Sequence, residues 1–141
     1  MNAAESVVEK GWKLLRLEDG RYTSFGFPLA DENVPYAVGR RTVPKPGNGP
    51  LAVFATQGDA VAFFRSQGAK DMPRAFALAP CEFESSAKSE LWAFLADGKP
   101  ARILPLAMTP PGTRLAAAVT LTAVPQTMER VLAELSGRRT P

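Results

Sequence analysis

The chain is 141 residues long with a mass of 15.1 kDa, carries 17 Lys+Arg against 14 Asp+Glu, and contains one Cys and no His. That length suits a single domain with its own core, and 45% hydrophobic with 22% charged residues is a globular rather than a disordered composition. The absence of His removes Ser-His-Asp catalysis, a His general base and His-ligated metals, while a lone Cys81 removes an internal disulfide and a thiolate zinc site, so no metal and no cofactor is expected.

Asn2-Ala3-Ala4-Glu5 has the form of a capping box and predicts a short N-terminal helix that Gly11 ends. Glu5 and Glu9 interrupt the apolar run that a secretory signal needs, and no clean apolar run comes near the length of a membrane helix. A cytoplasmic protein with no membrane contact is expected, and a single cysteine fits a reducing compartment. Residues 12–17 then read as a strand, Asp19-Gly20 as a tight turn and 21–25 as the returning strand of a hairpin.

Pro28, Pro35, Pro44, Pro46 and Pro50 form one cluster and Pro100, Pro105, Pro110 and Pro111 another, both predicting loops or edge strands. Between the first prolines, 36–43 is expected to be a short edge strand. Leu51 to Ala55 is apolar throughout and reads as a buried strand that runs into Thr56, an N-cap, with Asp59 in the first turn of a helix. Ala60, Val61, Phe63 and Phe64 share a face of that helix, and Gly68 is placed as its left-handed C-cap.

Residues 74–83 read as a strand, 89–96 as a strand in preference to a helix, and 113–124 as a strand rich in β-formers. Pro125 opens a C-terminal amphipathic helix with Met128, Val131, Leu132 and Leu135 on one face, stopped by Gly137 and followed by Arg138 and Arg139. The apolar face of this helix suits its own sheet or a symmetry mate, which leaves a homodimer open. The whole predicts a single α+β domain over residues 1–141. Its sheet is mostly antiparallel or mixed, with two or three helices packed on it, including the C-terminal amphipathic helix.

Charge is unevenly spread. Arg40, Arg41 and Lys45 stand in a stretch without acids, with Tyr36 nearby. Guanidinium forks recognise carboxylate or phosphate bidentately, and a tyrosine can stack on a ring. Strand alternation would let only one of the two arginines share a pocket with Tyr36; edge charges also serve simply to discourage strand pairing between molecules. Gly47-Asn48-Gly49 lacks phosphate-loop spacing and reads as a turn. No dense basic stripe or nucleic-acid reading motif is present, so nucleic acid is not an expected partner.

Glu82-Phe83-Glu84 sets two carboxylates on one strand face, a spacing at which one can become a general acid or base. With Arg16 and Thr23-Ser24 upstream, this E-x-E loosely resembles the pattern of arginine-type ADP-ribosyltransferases. That resemblance implies an NAD-using enzyme with an essential carboxylate at Glu82 or Glu84, although Arg16 and Thr23 sit closer together here than in that family. Cys81, beside Glu82 and with no adjacent base, reads as a packing residue. Trp12 and Trp92 suit core packing or a stacking platform.

Tyr36-Ala37-Val38-Gly39, the run from Gly49 through Phe54 and Thr56 to Ala60, and Pro111-Gly112-Thr113 leading to Val119 occur in that order. Together they resemble a loose set of small bacterial and phage-encoded proteins, whose shared motifs are turns and strand ends and carry no activity to any residue. The leading expectation is a non-enzymatic protein that binds a small anionic ligand or a protein partner, with Arg16, Tyr36, Arg40, Arg41 and Trp92 as candidate site residues. The alternatives are the NAD-using enzyme and a phage or prophage inhibitor module that acts on another protein.

Overall fold

The computed structural model describes residues 8–25, 34–45, 49–87, 90–94, 100–105, 107 and 109–137. β1 (Val8–Glu18) and β2 (Arg21–Ser24) form a hairpin. Asp19 and Gly20 both adopt positive φ, 49° and 76°, as the two-residue turn matching strand twist requires. β3 (Pro35–Tyr36) pairs with β2, and β4 (Leu51–Phe54) leads into α1 (Gln57–Arg65). A 3-10 turn (Gly68–Asp71), β5 (Phe76–Ser85), β6 (Glu90–Phe94), β7 (Pro100–Pro105), β8 (Thr113–Leu121), β9 (Gln126–Thr127) and α2 (Met128–Gly137) follow.

Seven strands form one sheet in the order β3-β2-β1-β4-β8-β5-β9, and β1 also pairs with β5, which closes β1, β4, β8 and β5 into a four-stranded barrel. The barrel is antiparallel throughout. Its long wall is β1 on β5, from Val8 opposite Glu84 to Arg16 opposite Phe76, while β1 meets β4 only where Trp12 lies opposite Phe54. Gly11 makes that narrow closure possible: a Cβ there would stand 2.9 Å from the Phe54 carbonyl oxygen and 3.0 Å from the Phe83 ring. β6 and β7 pair with each other as a separate two-stranded sheet.

Alternation along the strands divides the core in two. One cluster (Leu15, Leu51, Val53, Ala79, Cys81, Phe83, Ala116, Val119 and Leu121) is drawn from the barrel strands, with Val34 and Tyr36 added from the segment after β2. The opposite face carries Leu14, Ala52, Phe54, Phe76, Leu78 and Leu115, which the helices cover with Ala60, Val61, Phe63 and Phe64 of α1 and Met128 and Val131 of α2. Phe25 joins this layer, its ring centroid 5.3 Å from Phe63 and 5.1 Å from Phe76. Burial of this apolar area is the dominant favourable term for the fold.

The α+β class, the mostly antiparallel sheet and the C-terminal helix agree with expectation, with two α-helices among the described residues. Thr56 caps α1 as its sequence implies, its hydroxyl accepting from Asp59 N at 3.0 Å. Several boundaries are corrected. The predicted N-terminal helix does not reach Gly11, because residues from Val8 onward pair one for one with β5; its proposed cap, Asn2 to Glu5, lies outside the described residues. Gly68 is not a left-handed cap: α1 ends at Arg65 with Ser66 as a right-handed C-cap, and Gly68 opens the 3-10 turn.

The strand foreseen over 113–124 ends at Leu121, and Gln126 and Thr127 pair with β5 before α2 begins at Met128. Gly137 falls within α2, and Arg138 and Arg139 lie outside the described residues. The expected strand over 36–43 shrinks to Pro35–Tyr36 and two single bridges, because a turn interrupts it.

Candidate functional site

That interrupted segment builds a hollow lined by three cationic side chains, Arg40, Arg41 and Lys45. Arg40 N donates to Ala37 O at 3.1 Å, closing a turn whose third residue, Gly39, has φ 79°, the value a type II turn reserves for glycine. On both sides of the turn the chain is tied to β8. Gly39 N donates to Leu121 O at 2.9 Å, and Thr42 and Val119 exchange backbone hydrogen bonds at 2.8 Å in both directions. The segment 34–45 is thus a strap laid along the part of β8 that lies beyond its pairing with β4.

Beneath and beside the strap is a cleft of about 360 Å³. Tyr36, Val34 and Val43 give it apolar surface, and Arg40, Arg41 and Lys45 give it charge. Residues 39–41 are turn and irregular chain and not strand, so alternation does not separate the two arginines; both line the cleft, which corrects the expectation that only one could share it with Tyr36. Among the described residues, Arg40 and Lys45 form no ion pair. Arg41 does: its Nε donates to Glu84 Oε2 at 2.7 Å and its Nη2 to Glu84 Oε1 at 3.0 Å. These hydrogen bonds, and then the carboxylate charge, raise the Arg41 pKa above its ordinary value.

Behind Tyr36 lies a lysine that is not among the candidate binding residues read from the sequence. Lys13 is fully buried, donates from Nζ to Ala52 O at 2.7 Å and stands 5.3 Å from the Tyr36 ring centroid. Only its odd-numbered place on β1, shared with Leu15, could have marked it as inward-facing.

The other candidate residues are placed elsewhere. Arg16 is on β1 opposite Thr23 and donates to Glu18 Oε1 at 3.2 Å and to Phe25 O at 3.3 Å. Trp92 is on β6 opposite Ile103, in the separate two-stranded sheet. Arg16 does not line the strap cleft. Glu82 and Glu84 do share a side of β5, yet Glu84 is opposite Val8 while Arg16 is opposite Phe76. Arg16 and Glu84 therefore sit near opposite ends of the β1–β5 ladder, about 26 Å apart along it. The strand arginine and carboxylate that the transferase-like pattern would need together are not brought together.

A second hollow of about 400 Å³ is lined by Trp12, Pro80, Cys81 and Thr122, with Lys10 and Glu82 facing each other across the β1–β5 ladder. Its charges balance. Burial pushes the Cys81 thiol up to about 11, and Glu82 adds to the rise while Lys13 and the Gly11 amide oppose it, so the thiolate form is disfavoured there. No group of three or more His, Cys, Asp or Glu suited to a metal occurs among the described residues. Among them, too, no helix is long and apolar enough to cross a membrane. No protein family, no curated protein and no solved structure matches the chain.

Proposed function

We propose that this protein is a non-enzymatic binding protein and that the strap cleft takes a small anionic ligand with an apolar part. The observation that carries the reading is the convergence of Arg40, Arg41 and Lys45 on one cleft whose remaining surface is largely apolar. Ligand pockets commonly combine an apolar lining with a few placed polar groups, and about 360 Å³ lies at the small end of their range. The cations supply the electrostatic attraction, while Tyr36, held in place by its pairing with Tyr22, supplies a fixed apolar surface.

The test is a thermal-shift panel of small carboxylates, inorganic phosphate, sugar phosphates and nucleotides, followed by calorimetric titration of any hit. A ligand at a hundred times its dissociation constant should raise the midpoint by roughly 5–10 °C. Arg40→Ala and Lys45→Ala should each abolish most of that shift. A flat panel, with no heat of binding for any of these anions, overturns the reading.

A further inference from the structure

Arg41 spends only one edge of its guanidinium on Glu84. The group carries five N–H bonds, and the side-on pair uses one on Nε and one on Nη2. One hydrogen of Nη1 and the second of Nη2 remain on the outer edge, and no described residue accepts them. That edge is a second fork of the shape that fits a carboxylate or phosphate.

The two partners differ in how firmly they are held. Glu84 is held in the ladder near the end of β5, opposite Val8 of β1 and Ala118 of β8, and its side chain is 25% exposed, whereas Arg41 lies on the strap with 58% of its side chain exposed. The carboxylate is the fixed point and the guanidinium the part that is held. Charge narrows the ligand further: among the described residues the cleft lining carries Arg40, Arg41 and Lys45 and no carboxylate, and the Glu84 that pairs with Arg41 offsets one of these three charges. A monocarboxylate would satisfy half of what remains. A phosphate monoester carries close to two negative charges at neutral pH and offers three acceptor oxygens.

We infer that Glu84 is a positioning residue that orients Arg41, and that Arg41 with Arg40 and Lys45 thereby receives a dianionic phosphate monoester bearing a small apolar body. The inference rests on the binding reading above and names its ligand class.

The experiment is calorimetric titration of the full chain with phenyl phosphate and with benzoate, which share the apolar body and differ in charge. Phenyl phosphate should bind at least about tenfold more tightly. Glu84→Gln should weaken phenyl phosphate about five- to twentyfold, even though it removes a repelling charge, because the outer fork loses its orientation. Glu84→Asp keeps the charge but shortens the reach, and should weaken it similarly. In an Arg41→Ala background, Glu84→Gln should have no further weakening effect.

Equal or tighter binding in Glu84→Gln overturns the positioning role and makes Glu84 a competitor for Arg41. Unchanged binding in Glu84→Asp, with circular dichroism as in the wild type, also overturns it. Benzoate binding as well as phenyl phosphate overturns the ligand class alone. Failure of every anion to bind the wild type is the separate result that removes the binding reading itself.

Discussion

Arg41 and Glu84, 43 residues apart in the chain, meet through two hydrogen bonds of 2.7 and 3.0 Å, and so the strap is fastened to β5 by a side-chain clamp as well as to β8 by its backbone. The arginine of one functional reading and the carboxylate of another are thus each other's partners. Neither can be assessed alone: an effect of either substitution belongs to the pair until the double variant separates it.

Two glycines should prove intolerant for different physical reasons. Gly112 has φ 81°, and the Asp59 side chain occupies the place its Cβ would take. Gly112→Ala should therefore cost about 2–4 kcal/mol, combining left-handed strain with overpacking. Gly20 has φ 76° but open space around it, so Gly20→Ala should cost only about 1–2 kcal/mol. Urea unfolding of both variants checks the order; an equal loss in the two would deny the Asp59 contact its role.

Gly11→Ala tests the barrel closure. Its Cβ would press on the Phe54 carbonyl oxygen at 2.9 Å, where backbone cannot yield cheaply. A loss of about 1–3 kcal/mol is expected. Wild-type stability in this variant would mean that β1 and β4 can separate without consequence.

The Cys81 thiol links stability to alkaline pH. Its pKa rises from an ordinary 9.0 to about 11 in the folded chain. The folded state therefore keeps a proton that the unfolded state loses between those values. This contribution is fully present below pH 9 and is lost as the pH climbs toward 11, by roughly 3 kcal/mol in all. Cys81→Ala should fall off less steeply over that window in denaturant titrations. Parallel curves for the two proteins would refute the linkage. At pH 8 the native thiol should also resist alkylation until the chain unfolds.

For α2, burial should matter and its surface ion pair should not. Met128 is fully buried, so Met128→Ala should cost about 2–5 kcal/mol. Arg74 reaches Glu129 at 2.7 Å, but 84% of its side chain is exposed. Arg74→Ala should leave the midpoint unchanged within error, with and without added salt. A large drop for Arg74→Ala in thermal melts would show that this pair anchors the helix.

What the sequence determined by itself was local. Asp19-Gly20 dictated the hairpin turn because few residues accept two successive positive φ angles, and Thr56 with Asp59 dictated the start of α1 because the cap needs only a near neighbour. The apolar run from Leu51 to Phe54 likewise announced a strand buried on both sides. The concentration of Arg40, Arg41 and Lys45 near Tyr36 was also legible as composition.

The tertiary structure decided the rest. Val8 to Lys10 became strand and not helix because β5 offered a continuous ladder, and pairing of that length overrides a local capping signal. Barrel closure rests on Gly11 meeting Phe54 across 43 positions, a contact no window of sequence contains. The same holds for Lys13 beside Tyr36, for the two arginines that line one cleft, and for Glu84 against Arg41. Each depends on which strand lies beside which, and that is fixed by the burial of the whole core and not by any residue's neighbours in the chain.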